Sequence, residues 1–559
     1  MSVSGKGIRI NRNIWLFAIS LVLLTIFMMY RAEPFYPGYD YHFHLRRFNA
    51  LIEALKEGTY PLYIDYAAAR GYGYLSKVFY PDILLVPFAG LAIITNTMFA
   101  YKSIMFVITI LCGIFTYNTV NKIYRNQYAA IISSLLYTFS VYRIFDFYHR
   151  AAIGEAIAMT FIPIVFLGLY HIIKGDYKHK WYIITIGYVL IIFSHAITSL
   201  LMFVTTLIIL ACYIKPLLKE PKRIIYLALA GLITVVITIC YIAPMLEQTA
   251  AIDFYYKVRP IILPHTRKLT FEFIGWNMIS GLAYPKNVAF CGVGILLTLG
   301  ILLRLFIRKQ GKNPYLRSID IGVLIGIAYI LATSTFFPWG RFPFTLLQSI
   351  QFPWRLFGYS TFFFAIAGGY YLSLLLKNNK QQMIGLGLVV ILSGIVTYNH
   401  LENYKYLQSN FINRINDEPT PDTYFHLIGA EYMPAKVPNG AYIAQRGDSL
   451  GYGNTDTQIT HFERNRNIIN LDVIVSRADS LELPLAYYIG YKATLNNKIV
   501  PTKESNHGLV QIPANKSGRV TVYYAGTAIQ KVSWYITIIS ILILSLYIII
   551  LNKRKKKRS

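Results

Sequence analysis

The sequence predicts a polytopic α-helical membrane protein with a small β-sandwich-like extracytoplasmic domain before its last helix. Three observations carry this expectation. Hydrophobic residues make up 55% of the 559 residues and charged residues 14%, where a soluble domain carries about 25% charged residues; the mean hydropathy is +0.45. Apolar runs approaching the roughly 20 residues of a membrane span recur along the chain. Over 400–531 the composition turns polar and alternates with a period of two.

The candidate spans are 14–30, 82–98, 103–119, 127–145, 156–173, 181–197, 199–214, 223–245, 289–307, 318–335, 356–376, 383–399 and 532–551. The first has a basic flank but no small-x-small cleavage site, so it reads as a retained helix. Between the runs lie basic loops: "NKIYRNQ" (121–127), "KGDYKHK" (174–180), "KPLLKEPKR" (215–223), "RKQGKNPYLR" (308–317), "KNNKQQ" (377–382) and the tail "NKRKKKRS" (552–559). If all thirteen runs cross, parity places several of these outside, against the positive-inside rule. If 82–119 makes one net crossing, every basic loop falls in the cytoplasm. The expectation is therefore about twelve crossings of the cell membrane, both termini cytoplasmic, with "NTMFAYK" (96–102) as the weak point.

Lys and Arg total 54 against 26 Asp and Glu, a net charge of +28. No soluble segment large enough to fold carries a basic patch, so nucleic acid is excluded as a partner and the bilayer is the expected one. Cys112, Cys212, Cys240 and Cys291 lie in apolar runs without Cys-x-x-Cys spacing and read as small core residues, not a zinc site.

The domain division is 1–399, a membrane domain with a first outer loop 31–81; 400–531, an extracytoplasmic domain that is β-rich over 440–530; and 532–559, the last helix and basic tail. In "GRVTVYY" (518–524), Val520, Val522 and Tyr524 share a face. "YIGYKATLNNKIVPT" reads as two strands around an Asn496-Asn497 turn, and "HGLVQIPANKSG" as a further strand and turn.

Ionisable residues avoid the middle of the runs, where each costs about 2.5–3.5 kcal/mol. They gather at what this topology makes the outer helix ends: Asp40, His42, His44, Arg46 and Arg47 in "PGYDYHFHLRRF"; Asp146, His149, Arg150 and Glu155 in "YRIFDFYHRAAIGE"; His195; Glu247 and Asp253; Arg341; and Arg355 in "QFPWRLFGYS". Two readings stay open for Asp40: a general base or cation ligand, or the N-cap of the following helix. Asp-x-His-x-His lacks a clear third metal ligand. Arg355 suits bidentate grip of a lipid phosphate or, with Trp354, an interfacial anchor. His195 reads as a turn histidine or a site residue. Glu155 matches a helix dipole. The tyrosines of "YIDYAAARGYGYLSKVFYPD" fit a lipid interface or sugar stacking.

The first helix, the Asp40 loop with its amphipathic continuation ("YDYHFHLRRFNALIEALKEGTYPLY") and the aromatic-Pro entry "FYPDILL" resemble the GT-C superfamily of integral-membrane glycosyltransferases. "FDFYHRAAIGEAIA", "QFPWRLFGYS" and "LPLAYYIGYKATLNNKIV…GLVQIPANKSGRVTVYY" are similar to bacterial YfhO-like proteins and the membrane family labelled "6-pyruvoyl-tetrahydropterin synthase-related". The pterin label implies no activity here. The resemblance implies transfer of a sugar from a polyprenyl-phosphate donor to a cell-envelope polymer or glycolipid outside the membrane. It implies Asp40 as catalytic residue, Asp146 and Glu155 as the second-loop acidic group, and Arg355, with Arg150, at the lipid phosphate. His42, His44 and His195 complete the expected substrate-binding set. Asp82 departs from the relatives' second proline, and the paired acidic motif of the oligosaccharyl branch is absent, which leaves a divalent cation open. The rival expectation is a lipid-linked-glycan transporter or a non-catalytic envelope-assembly protein.

Overall fold

The structure, a computed structural model, describes residues 12–33, 38–259, 262–281, 291–307, 313–415, 429–453, 456–466 and 468–556. Parts of the expected outer segments 246–288 and 400–531, of the loop 308–317 and of the tail lie outside them.

Among the described residues, seven helical stretches are long and apolar enough to cross a membrane: Arg12–Arg31, Thr97–Tyr124, Gln127–His149, Ile153–Ile173, Tyr315–Ala332, Asn379–Ser409 and Ala528–Arg554. An eighth forms if Lys222–Ile237 and Ile239–Ala251, bent by 70° at their junction, count as one span. Several other sequence runs become shorter helices. The run 82–98 holds only Val86–Ile94, nine residues rising about 13 Å at 1.5 Å each, too short for a hydrocarbon core of about 30 Å. The run 181–197 stops at Ile192, because His195 caps the next helix, Ala196–Cys212: its Nδ1 accepts from Thr198 N at 3.3 Å. Large apolar side chains on the last helix, among them Leu542, Ile543 and Leu546, are exposed. An apolar face of this length finds a solvent in lipid, so the architecture is consistent with a polytopic membrane protein.

Among the described residues, nine strands form the C-terminal unit: β1 Gly451–Tyr452, β2 Gln458–Asn465, β3 Ile468–Ile474, β4 Asp479–Ala486, β5 Tyr491–Leu495, β6 Lys498–Val500, β7 Lys503–Glu504, β8 Leu509–Ala514 and β9 Gly518–Tyr524. They make two antiparallel sheets, ordered β1-β4-β8-β7 and β2-β3-β9-β5-β6. Alternation does what period two requires: Val520, Val522 and Tyr524 are buried while their neighbours are not. Asn496 and Asn497 take φ of 51° and 62°, the left-handed pair of a two-residue hairpin, joining β5 to β6. The core of this unit also takes in Tyr72, Tyr74, Leu75 and Phe79 of the first loop. Gln248 exchanges two amide hydrogen bonds with the Ile489 backbone, tying the bent helix to the sheets.

Candidate functional site

The site lies where the 127–149 stretch turns back into the 153–173 helix. That turn is not a plain loop. Residues Phe145–His149 widen into a π turn, a form that recurs at functional sites, and Ala151 takes φ 55°. The widened turn exposes the His149 and Arg150 carbonyls, and the first loop docks on them: Tyr39 N donates to His149 O at 3.3 Å and Asp40 N to Arg150 O at 2.7 Å. Gly38 makes this approach possible, since a Cβ there would sit 2.6 Å from His149 O.

Docking sets Asp40 beside Arg150. Asp40 occupies the N-cap position of the Tyr41–Lys56 helix, yet its side chain makes no capping bond; its Oδ2 lies 3.4 Å from Arg150 Nη2. Arg150 Nη1 also donates to Asp146 Oδ1 at 2.9 Å and to Glu155 Oε2 at 2.8 Å, and its guanidinium lies 4.9 Å from the centre of the Trp354 ring. Glu155 is the junction. Its Oε2 is also 3.3 Å from Arg355 Nε, and its Oε1 accepts from the Tyr142 hydroxyl at 2.7 Å. Arg355 is buried and donates from Nη1 to Ile350 O at 3.0 Å, so it faces the network rather than the lipid interface. Asp146 Oδ2 is buried without a hydrogen bond.

Asp40 differs from its partners in access. Its side chain keeps 42% of its surface open, against 8% for Arg150, 4% for Glu155 and none for Asp146. The surrounding protein still removes enough water to raise its carboxyl above the ordinary 3.8; the guanidiniums of Arg150 and Arg355 oppose the rise.

The two histidines of the first loop part company. His42 is exposed, edge-on to Tyr41, while His44, two residues on and therefore about 200° round the helix, is buried against Tyr80. Burial holds His44 well below the usual 6.5, reinforced by Arg47, His195 and Arg150. They do not converge on one ion, and among the described residues no three His, Cys, Asp or Glu side chains are placed to hold a metal. His195 joins the edge of the site: its ring lies 5.9 Å from Tyr80, but Nδ1 is engaged by Thr198. Glu247 bonds Thr527, Asp253 pairs with Lys257 at the surface and Arg341 is exposed; none of these contacts reaches the network.

Three parts of the neighbourhood escaped sequence reasoning. Trp354 reads as an interfacial anchor and Tyr142 carries no reading of its own; nothing in their spacing marks them as partners of a charge. Behind Tyr80, Asp82 pairs with Lys77 and, at 3.2 Å, with Arg47. All three side chains are nearly sealed, at 5%, 2% and 2% exposure, and the Arg47 guanidinium covers the Tyr80 ring at 5.0 Å. The Asp82 departure in "FYPD" was the available signal for this second cluster.

The chain matches no protein-family model, and no solved structure matches it. It is 23% identical over 232 residues to an uncharacterized protein of Lactococcus lactis subsp. cremoris, a match that spans 40% of this chain and 38% of that protein.

Proposed function

We propose that the protein is a GT-C-type membrane glycosyltransferase of the cell membrane, with both termini in the cytoplasm. It moves a sugar from a polyprenyl-phosphate donor to a cell-envelope polymer or glycolipid on the extracytoplasmic side. The observation that carries this reading is the network of Asp40, Arg150, Glu155 and Arg355, drawn from three separate chain segments, with a partly open acid at its rim. Asp40 accepts the proton of the acceptor hydroxyl as that oxygen bonds to the sugar's anomeric carbon; its raised pKa makes it a stronger proton acceptor. The bond from the anomeric carbon to the phosphate oxygen breaks, and Arg355 and Arg150 offset the charge left on the phosphate. The β-sandwich binds the acceptor. Its place beside the site supports this: Tyr432, which leads into the unit, stacks on Phe79 at 4.2 Å and meets Tyr80.

One observation favours a second reading. Arg150 already donates to three carboxylates, Asp146, Glu155 and Asp40, as a purely structural network would, which suits a lipid-linked-glycan transporter or a non-catalytic assembly protein. The test is transfer from radiolabelled polyprenyl-phosphate hexoses to extracted envelope acceptors by the full chain in proteoliposomes. Removing a general base lowers rate by about 10²–10⁴, so Asp40→Asn is expected to lose transfer by that factor at unchanged protein level. Wild-type transfer by Asp40→Asn removes Asp40 from the chemistry. Failure of every donor with the wild-type chain favours the second reading.

A further inference from the structure

We infer that residues 262–281 and 333–350 together form a cap embedded in the headgroup–acyl boundary of the bilayer, on the side of the Arg150 network. The inference rests on the long helices being membrane spans, and not on the glycosyltransferase reading.

The two segments fold as one unit. Leu269 N donates to Thr333 O at 2.8 Å, Thr335 N returns a bond to Leu269 O at 2.9 Å, and Lys268 Nζ reaches Thr335 O at 2.8 Å. Inside the unit Phe337 packs on Trp339 and Phe344, with ring centres 5.1 and 4.5 Å away, and Trp339 Nε1 donates to Ala332 O at 2.7 Å. This small core satisfies the local fold. The cap then carries a second set of large apolar side chains that point away from it: Phe336, Phe342 and Leu346 are 78%, 79% and 72% exposed, and Phe271, 5.3 Å from Phe336, is 52% exposed.

Location and charge say what covers this face. Segment 333–350 follows the end of the 314–332 helix and leads directly to Arg355, whose Nη1 holds Ile350 O. It therefore sits at the end of the bundle where Arg355 meets Glu155. Exposed Arg267 and Arg341 and the partly exposed Lys268 flank the apolar face, the pairing of apolar wedge and basic rim by which an element lies in an anionic interface. Seated there, the cap anchors the backbone that positions Arg355.

The test uses the full chain with exposed Cys212 changed by Cys212→Ser, in vesicles of phosphatidylethanolamine and phosphatidylglycerol. Nitroxides are placed singly through Phe342→Cys and Leu346→Cys. Leu542→Cys on the last helix and Ile499→Cys at the β5–β6 hairpin serve as references, both exposed in the structure. Collision with oxygen against a water-soluble nickel chelate reads the surroundings of each label. The expected result is that labels at 342 and 346 favour oxygen, as the label at 542 does. Nickel access equal to that at 499 overturns the inference, as does shielding from both reagents, which means that protein covers the face. Nickel access at 542 itself overturns the membrane reading, and the inference with it.

Discussion

At one end of the bundle two ionic clusters stand on either side of Tyr80, and they are built with opposite surpluses. In the first, three carboxylates (Asp40, Asp146, Glu155) meet two guanidiniums, Arg150 and Arg355. In the second, Arg47 and Lys77 meet the single carboxylate of Asp82. The first has an open member in Asp40; in the second all three charged side chains are nearly buried. A cluster whose charged side chains are all nearly sealed can hold segments together, but it offers a substrate little access. An acid-rich cluster with one partly open carboxylate offers a proton acceptor backed by fixed positive charge. Under the proposed function, chemistry falls to the Arg150 cluster and anchoring of the first loop to the Asp82 cluster.

Removing a partner from a buried ion network leaves charge uncompensated, which costs about 3–5 kcal/mol. Glu155 touches Arg150, Arg355 and Tyr142 at once, so Glu155→Ala is expected to show the largest loss, read by thermal unfolding in detergent. A transition within a degree or two of wild type breaks the claim that Glu155 is the junction. Tyr142→Phe deletes one hydrogen bond to a charged group and is expected to cost about 1.5–3 kcal/mol. A neutral result means that the hydroxyl is not needed to fix Glu155.

His44 sharpens the comparison through pH. Its native pKa is depressed below 6.5 by burial, so the unfolded chain binds its proton first as the medium is acidified. The stabilising contribution is present above about pH 6.5 and is lost as pH falls toward the native value. The slope for one such proton is at most about 1.4 kcal/mol per pH unit. His44→Gln should flatten the acid limb of the stability profile by up to that amount. An identical acid limb in wild type and variant contradicts a buried, neutral His44.

Much of the site was legible because membrane chains exclude charge from the middle of their spans. Asp40, Asp146, Arg150, Glu155 and Arg355 stood out at helix ends, and the structure brings all five together. His42 was drawn in by the same argument and lies outside the network, since spacing alone does not say that His42 and His44 fall on opposite sides of a helix. The hairpin at Asn496-Asn497 and the alternation of β9 were readable because both follow from local backbone geometry. Helix length was less so. Hydropathy sees the run 181–197 as continuous, whereas the His195 cap divides it, and it does not register the 70° bend after Ile237. Lys77, Tyr142 and Trp354 were missed because their partners are remote in sequence or because they match the aromatic background of a lipid interface.

The most direct measurement sets Asp40→Asn beside Asp82→Asn in the same full-length protein, reading both thermal stability and sugar transfer. Asp40 is 42% exposed with a long 3.4 Å contact to Arg150, so Asp40→Asn is expected to shift stability by less than about 1 kcal/mol while abolishing transfer. Asp82→Asn, which strands two buried cations, is expected to lose about 3 kcal/mol while the molecules that remain folded keep their turnover. If Asp40→Asn proves the more unstable protein, or if both variants lose transfer only in proportion to folded protein, the division between a chemical cluster and an anchoring one is wrong.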